Sequence, residues 1–351
     1  FKRAMICCSF SSVISSYVLA ATYLWAYDFE AGGLFYNVIS DTIPYTAEVT
    51  NHPGFPYEIA SATIPEKVNY CDITYVVKRI GAGAFEDCYA LTSVTIPNSI
   101  TSIESFAFKN CQSLNSINIP QSVVFIKPTA FSNSGIYNDE SNWEDSVLYI
   151  SDCLIQAKRG LTGSYIVKEG TRLIINEAFA GSNLTDITIP NTVTDIGVGA
   201  FQYSAITSII IPNGVTKIWA GAFHHCTSLK SVTFPNSITQ IQRDAFRDCT
   251  ALTTVVCEAV QVPDCQHNIF ANIPFLEATL YVPKESLEDY KSAIYWKDFG
   301  TILPIAPTGT ENTHSKNNNS SSFTKVILNG QLLILRPRIT RSNRSSLKHS
   351  H

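Results

Sequence analysis

Ile211-Pro212-Asn213-Gly214-Val215-Thr216-Lys217-Ile218-Trp219-Ala220-Gly221-Ala222-Phe223-His224-His225-Cys226 decides the fold of this chain. Its skeleton is Ile-Pro, an apolar residue three positions on, another at six, and Ala-Phe at ten and eleven. The skeleton returns at Ile96-Pro97 through Phe108, at Ile119-Pro120 through Phe131, at Ile189-Pro190 through Phe201, and at Phe234-Pro235 through Phe246. Proline and phenylalanine stand eleven apart every time, and the next proline follows eleven or twelve later. A fixed period of 22–23 residues marks a stacked solenoid. One such unit cannot bury its Ile pair and its Phe alone. Stacked units can, because each position then meets its counterpart one coil away, about 4.8 Å off across parallel strands.

Ahead of each proline runs a strand-like segment: Leu91, Val94, Ile96; Leu114, Ile117, Ile119; Leu184, Ile187, Ile189; Ile206, Ile209, Ile211; Leu229, Val232, Phe234. The last apolar pair points inward with one residue outward between them, and the proline ends the strand because it lacks a ladder donor. The turn after the Phe has two lengths. With Cys88, Cys111, Cys226 or Cys249 three residues past the Phe, the next apolar residue falls at plus six; with Ser134, Ser182 or Ser204 it falls at plus five. The cysteines read as small buried thiols.

This pattern, I-P-x-x-[VI]-T-x-I-x-x-x-A-F-x-x-C-x-x-L-x-x-[VI], resembles the BspA-type (Treponema-type) leucine-rich repeats over about residues 62–305. The resemblance implies a β-rich, right-handed leucine-rich-repeat coil. It also implies a non-enzymatic adhesion or ligand-binding protein, secreted or on the cell surface in association with the outer membrane. Relatives of this kind occur mostly in Bacteroidetes and spirochaetes. The expected architecture is about eight repeats of 22–23 residues with β-hairpin insertions and terminal caps.

The chain divides accordingly. Residues 1–26 resemble a secretory signal peptide: Lys2 and Arg3 precede an uncharged stretch, with cleavage near Ala26 and a retained membrane anchor as the other reading. Residues 27–61 read as N-terminal cap strands, 62–256 as the solenoid and 257–305 as a C-terminal cap. The stretch 306–324, rich in Asn and Ser, is a linker too polar to bury a core, and 325–351 resembles a sorting or anchoring tail. Hairpins are expected over Val68–Val77 and around Ser151-Asp152, and a short amphipathic helix between Glu285 and Trp296. Cys257 and Cys265 are a candidate disulfide, with a buried free thiol at Cys257 as the alternative.

Of 351 residues 45% are hydrophobic and 15% charged, with 25 Lys+Arg against 29 Asp+Glu for a net charge of −4. That balance argues against nucleic acid. The body of the chain holds no apolar run of membrane length, so no transmembrane domain is expected in the mature chain. No nucleophile, zinc-protease or phosphate-binding motif appears, so neither catalysis nor a cofactor is expected. The adjacent His224 and His225 sit in a turn filled elsewhere by Glu86-Asp87, Lys109-Asn110 and Arg247-Asp248, and no metal centre is expected there.

The binding surface is expected where polar columns break type. The column of Asp87, Asn110, Asn133, Gly181 and Asp248 holds Tyr203 and His225. The column of Glu104, Lys127, Gly197 and Gln242 holds Trp219. The outward strand row Thr95, Asn118, Thr188 and Thr233 holds Ile210, and that row is itself a candidate contact surface. The partner expected is a protein or glycan, host matrix proteins among them. The other reading is a structural or assembly component with no specific ligand.

Overall fold

The computed structural model describes residues 27–51 and 57–305, with the backbone of the strands Thr324–Leu328 and Gln331–Leu335. The expected signal segment, the linker but for Thr324, and the tail apart from these two strands lie outside the described residues. The two tail strands pair antiparallel, Thr324 opposite Leu335.

The chain is a β-solenoid with little helix. Each coil has three sides. The first is a two-residue strand, which pairs in parallel with its counterparts: Arg79-Ile80 with Ser102-Ile103 and Phe125-Ile126, then Lys217-Ile218 with Gln240-Ile241 and Asp264-Cys265. The second is the Ala-Phe turn. The third is a longer strand, as in the parallel run Ser208–Ile210, Ser231–Phe234, Thr254–Cys257, Thr279–Val282 and Thr301–Pro304. The proline turns the corner between the third side and the next coil: in all five full copies the apolar residue three positions on donates its N–H to the proline carbonyl, as Val215 does to Pro212 at 3.0 Å and Val193 to Pro190 at 3.1 Å. That turn explains the invariant three-residue spacing.

The phenylalanines form the core ladder. Phe85, Phe108 and Phe131 stack at 5.4 Å between ring centroids, and Phe179, Phe201, Phe223 and Phe246 at 5.0–5.2 Å. All are buried, each contributing roughly 1.5–3 kcal/mol. Beside them Cys111, Cys226 and Cys249 donate their thiols to the carbonyls of Phe85, Phe201 and Phe223 in the preceding coil at 3.0–3.1 Å. Burial pushes the Cys88 thiol up to about 11 and Cys111 up to about 12, so both stay protonated at neutral pH.

Among the described residues the short-strand ladder counts ten coils, two beyond the eight expected from the phrase. The additions come at the ends. Thr46–Thr50 already runs parallel to Ile73–Ile80. At the other end the coil continues where the phrase fades: Asp264-Cys265 pairs with Gln240-Ile241, and Phe270 packs on Phe246 at 5.7 Å. The cap closes over this end with Tyr290 and Trp296, both fully buried. Its α-helix covers only Leu287–Ser292, because Ala293 is already extended. The candidate disulfide is corrected, since Cys257 and Cys265 are free thiols. They belong to different sides of the coil: Cys257 pairs with Phe234 and meets the Tyr290 hydroxyl at 3.2 Å, whereas Cys265 pairs with Ile241.

Both expected hairpins are present. Lys67–Tyr70 pairs antiparallel with Ile73–Ile80 across Cys71-Asp72, both with positive φ, as a tight two-residue hairpin turn demands. Val147–Ile150 pairs antiparallel with Cys153–Ala157 across Ser151-Asp152, and the sequence Cys153-Leu154 then joins the parallel ladder through Leu173-Ile174. Arg172 locks this interruption. It donates to Asp152 at 3.0 Å through Nε and to the Val123 carbonyl at 3.1 Å, a position on the coil before the hairpin. Burial works to raise the Asp152 carboxyl, but hydrogen bonds from Arg172 and Gln121 and the Arg172 charge together hold it below the usual carboxylate value.

Asp152→Asn is therefore expected to destabilise the chain by about 1–3 kcal/mol at neutral pH. A depressed folded-state pKa gives stability that is present above the unfolded value of about 3.9 and lost as pH falls through the folded one. The wild-type advantage should thus shrink in acid. Urea unfolding of both proteins at about pH 7 and about pH 3 reads this out; an equal gap at both would show that the carboxylate charge is not what the site uses.

Candidate ligand-binding surface

The turn after each Phe carries the least regular part of the surface. Its last column lies in left-handed backbone: Asp87, Asn110, Asn133, Gly181, Tyr203, His225, Asp248 and Asn272 all have φ between 56° and 67°. Asn, Asp and Gly suit that conformation, since the first two bond locally and glycine has no Cβ to clash. In the first coils the column knits itself together: Asn110 donates to Asp87, and Asn133 to Asn110, each at 2.7 Å. Tyr203 breaks the rule, occupying backbone that bulky side chains avoid, at an expected strain of roughly 1–2 kcal/mol; His225 also departs from the column but is a residue type that this backbone admits more readily. Tyr203 is 52% exposed, and its ring lies 4.8 Å from that of His225 and 5.7 Å from that of His224.

One period later, Asp248 lies beside the histidines. Its Oδ2 is 3.3 Å from His224 Nε2 and 3.8 Å from His225 Nδ1. Its Oδ1 accepts from Asn272 Nδ2 at 2.6 Å. Hydrogen bonding from Asn272, then from His224, and the Arg247 charge outweigh partial desolvation and hold the Asp248 carboxyl below its ordinary value. Sequence reading placed no further ligand near the histidine pair; the period itself was the missed signal, because Asp248 follows His225 by one coil in the same column.

The other candidates are not all brought to this place. Trp219 stands at the entry of the same turn, half-buried, with Lys217 Nζ 4.0 Å over its ring; no ring contact joins it to Tyr203 or the histidines among the described residues. Ile210 is 57% exposed but sits on the long-strand side, in register with Thr233. Thr95, Asn118 and Thr188 are exposed on that side and Thr233 is half-buried. Tyr203 and His225 thus form one patch, Trp219 stands at the entry of the turn rather than in its last column, and the Thr/Asn row with Ile210 is a separate surface.

Sequence reasoning missed a second feature. The coil through Cys153–Ala157 has no Ala-Phe turn, so the Phe ladder breaks between Phe131 and Phe179. A cleft of about 330 Å³ opens there, lined by Thr129, Ser132, Tyr137, Lys158, Arg159 and Glu177 among others. In intact coils the turn amides bond to the next coil, as Phe85 to Ala107 and Asp87 to Lys109. The amides of Phe131 and Asn133 have no such acceptor among the described residues. The absence of the Ile-Pro phrase between residues 131 and 179 was the available signal.

The geometry defines a repeat scaffold with a long, varied surface and a row of buried thiols. The match to known repeats agrees. Residues 78–205 and 158–277 match the family model described as BspA type leucine rich repeat region, in six copies covering more than half of the chain, and the chain belongs to that family. No curated protein matches the chain significantly. Similar solved structures include a leucine-rich repeat protein from Bacteroides ovatus, at 20% identity over 80% of this chain and 100% of that one, with a TM-score of 0.30. A leucine rich cell surface protein from Faecalibacterium prausnitzii matches at 20% identity over 80% and 95%, with a TM-score of 0.31. The pneumococcal vaccine antigen PcpA matches at 16% identity over 80% and 98%, with a TM-score of 0.35. Among the described residues no helix is long and apolar enough to cross a membrane.

Proposed function

We propose that this chain is a non-enzymatic binding module, secreted or displayed at the cell surface, whose partner is a protein or glycan such as a host matrix component. The observation that carries it is Tyr203. A 52%-exposed aromatic residue sits in left-handed backbone where the other coils, the His225 coil apart, use Asn, Asp or Gly. Strain of this kind persists where something other than stability maintains it, and exposed Tyr and Trp are the residue types most often found at the centre of interfaces. Trp219, at the entry of the next coil's turn, supplies a second aromatic surface with a cation over its face. The signal-like segment at residues 1–26 supports export.

The test is capture of matrix proteins and glycans by the full chain on a panel of both. At least one specific partner is expected, and Trp219→Ala is expected to weaken it by about 1 kcal/mol or more. A clean panel would favour the assembly role instead. The cleft at the interruption is a second place for a partner, favoured by the amides of Phe131 and Asn133, which have no next-coil carbonyl to bond among the described residues, and by Arg159, which is exposed and makes no ion pair among the described residues. Arg159→Ser separates the two surfaces.

A further inference from the structure

We propose that His224, His225 and Asp248 form a binding site for one first-row divalent transition metal ion of the zinc type. Among the described residues this is the group whose ligand atoms converge: one nitrogen from each histidine and one carboxylate oxygen, all within 4.8 Å of one another. Two imidazoles and a carboxylate are a donor set that zinc and its neighbours accept, with a fourth position left to water or to a partner's ligand.

The distances suit the ion. Metal–ligand bonds of about 2.0–2.2 Å in tetrahedral geometry place donors roughly 3.3–3.5 Å apart. His224 Nε2 and Asp248 Oδ2 are at 3.3 Å, and His225 Nδ1 and Asp248 Oδ2 at 3.8 Å. The three donors lie within 4.8 Å of one another, and rotation of the exposed His225 ring would bring its nitrogen toward the other two. Asp248 is already oriented: Asn272 holds Oδ1 at 2.6 Å, which turns Oδ2 toward the histidines. An outer hydrogen bond of this sort fixes the first ligand shell in established metal sites. Among the described residues the opposing charge against this carboxylate is Arg247, whose Nε lies 3.4 Å from the same Oδ2. It has another partner in Asp244, at 3.5 Å from its Nη1, so it can yield the carboxylate without being left unpaired.

The site also explains why two histidines sit in a turn that elsewhere carries Glu86-Asp87, Lys109-Asn110 and Arg247-Asp248. The ion would tie two neighbouring coils together, since His225 and Asp248 lie one period apart. It adjoins the proposed partner surface, since His225 also belongs to the Tyr203 patch, but the ion needs no partner: a chain without any macromolecular ligand would still bind it.

The experiment is equilibrium dialysis of the metal-free full chain against zinc chloride, followed by the spectrum of the cobalt(II)-loaded protein. Wild type is expected to take up one zinc ion per chain, and its cobalt form to show nitrogen and oxygen ligation. His225→Asn and Asp248→Asn are each expected to weaken uptake at least tenfold. Asn already fills that column at 110, 133 and 272, so neither variant strains the turn, and an unchanged melting temperature in the metal-free state checks this. Uptake equal to wild type in both variants, no uptake by wild type, or a thiolate charge-transfer band from cobalt on cysteine would each overturn the site.

Discussion

Phe201→Ala is expected to cost roughly 3–5 kcal/mol of unfolding free energy, read as a shift of the urea midpoint at constant slope. Phe201 is fully buried and stacked at 5.2 Å on Phe179 and on Phe223, with interplanar angles of 8° and 1°. Truncation therefore removes two ring contacts and leaves a void that parallel strands on either side prevent from collapsing. In a solenoid each coil is supported only by its neighbours. The loss should accordingly lower the melting of the coils next to residue 201 most, with hydrogen exchange rising around Ala178–Phe223 first. A loss under about 1 kcal/mol would mean that the ring does not carry the stack.

Removal of the C-terminal cap, residues 257–305, is expected to have a still larger effect. Phe246 would lose Phe270 at 5.7 Å, and Phe234 would lose Trp296 at 6.3 Å. Tyr290 and Trp296, both fully buried, leave with the deleted segment. The strand Thr254–Cys257, cut at its last residue, would become an open edge, because its outer parallel partner Thr279–Val282 is gone. An uncovered apolar end with free strand hydrogen bonds associates or aggregates. Size-exclusion chromatography should show oligomers or no soluble protein. A soluble monomer with unchanged melting temperature would refute the capping role. Trp296→Ala makes the same point more gently, at roughly 3–5 kcal/mol.

The fold was legible because its determinants are periodic. Ile211, Val215, Ile218 and Phe223 each have a counterpart one coil away, so a single register fixes the strand, corner and turn of every coil. The ends were less legible. Asp264-Cys265 joins the ladder through backbone pairing that needs no Ile-Pro phrase, and the hidden coils appear only when the strands are traced. The disulfide reading failed for a similar reason, since Cys257 and Cys265 are near in sequence but lie on different sides of one coil. The candidate site was half legible. Tyr203 and His225 share a column and meet, but column comparison does not reveal which side of the coil a column faces. Ile210 is on the long-strand side. The Asp248 carboxylate and the cleft at residues 128–182 depend on which coils are adjacent and on where the turn stack breaks.

The most direct test of the proposed binding role compares partner affinity for the wild-type chain and for Tyr203→Asn. Asn suits the left-handed backbone at this position, so the variant should be as stable as wild type or more so, by up to roughly 1–2 kcal/mol. The expected result is a melting temperature unchanged or raised together with at least tenfold weaker partner binding. Affinity equal to wild type in a protein of equal or greater stability would contradict it, and would move the partner from the turn edge to the cleft or to the Thr/Asn row.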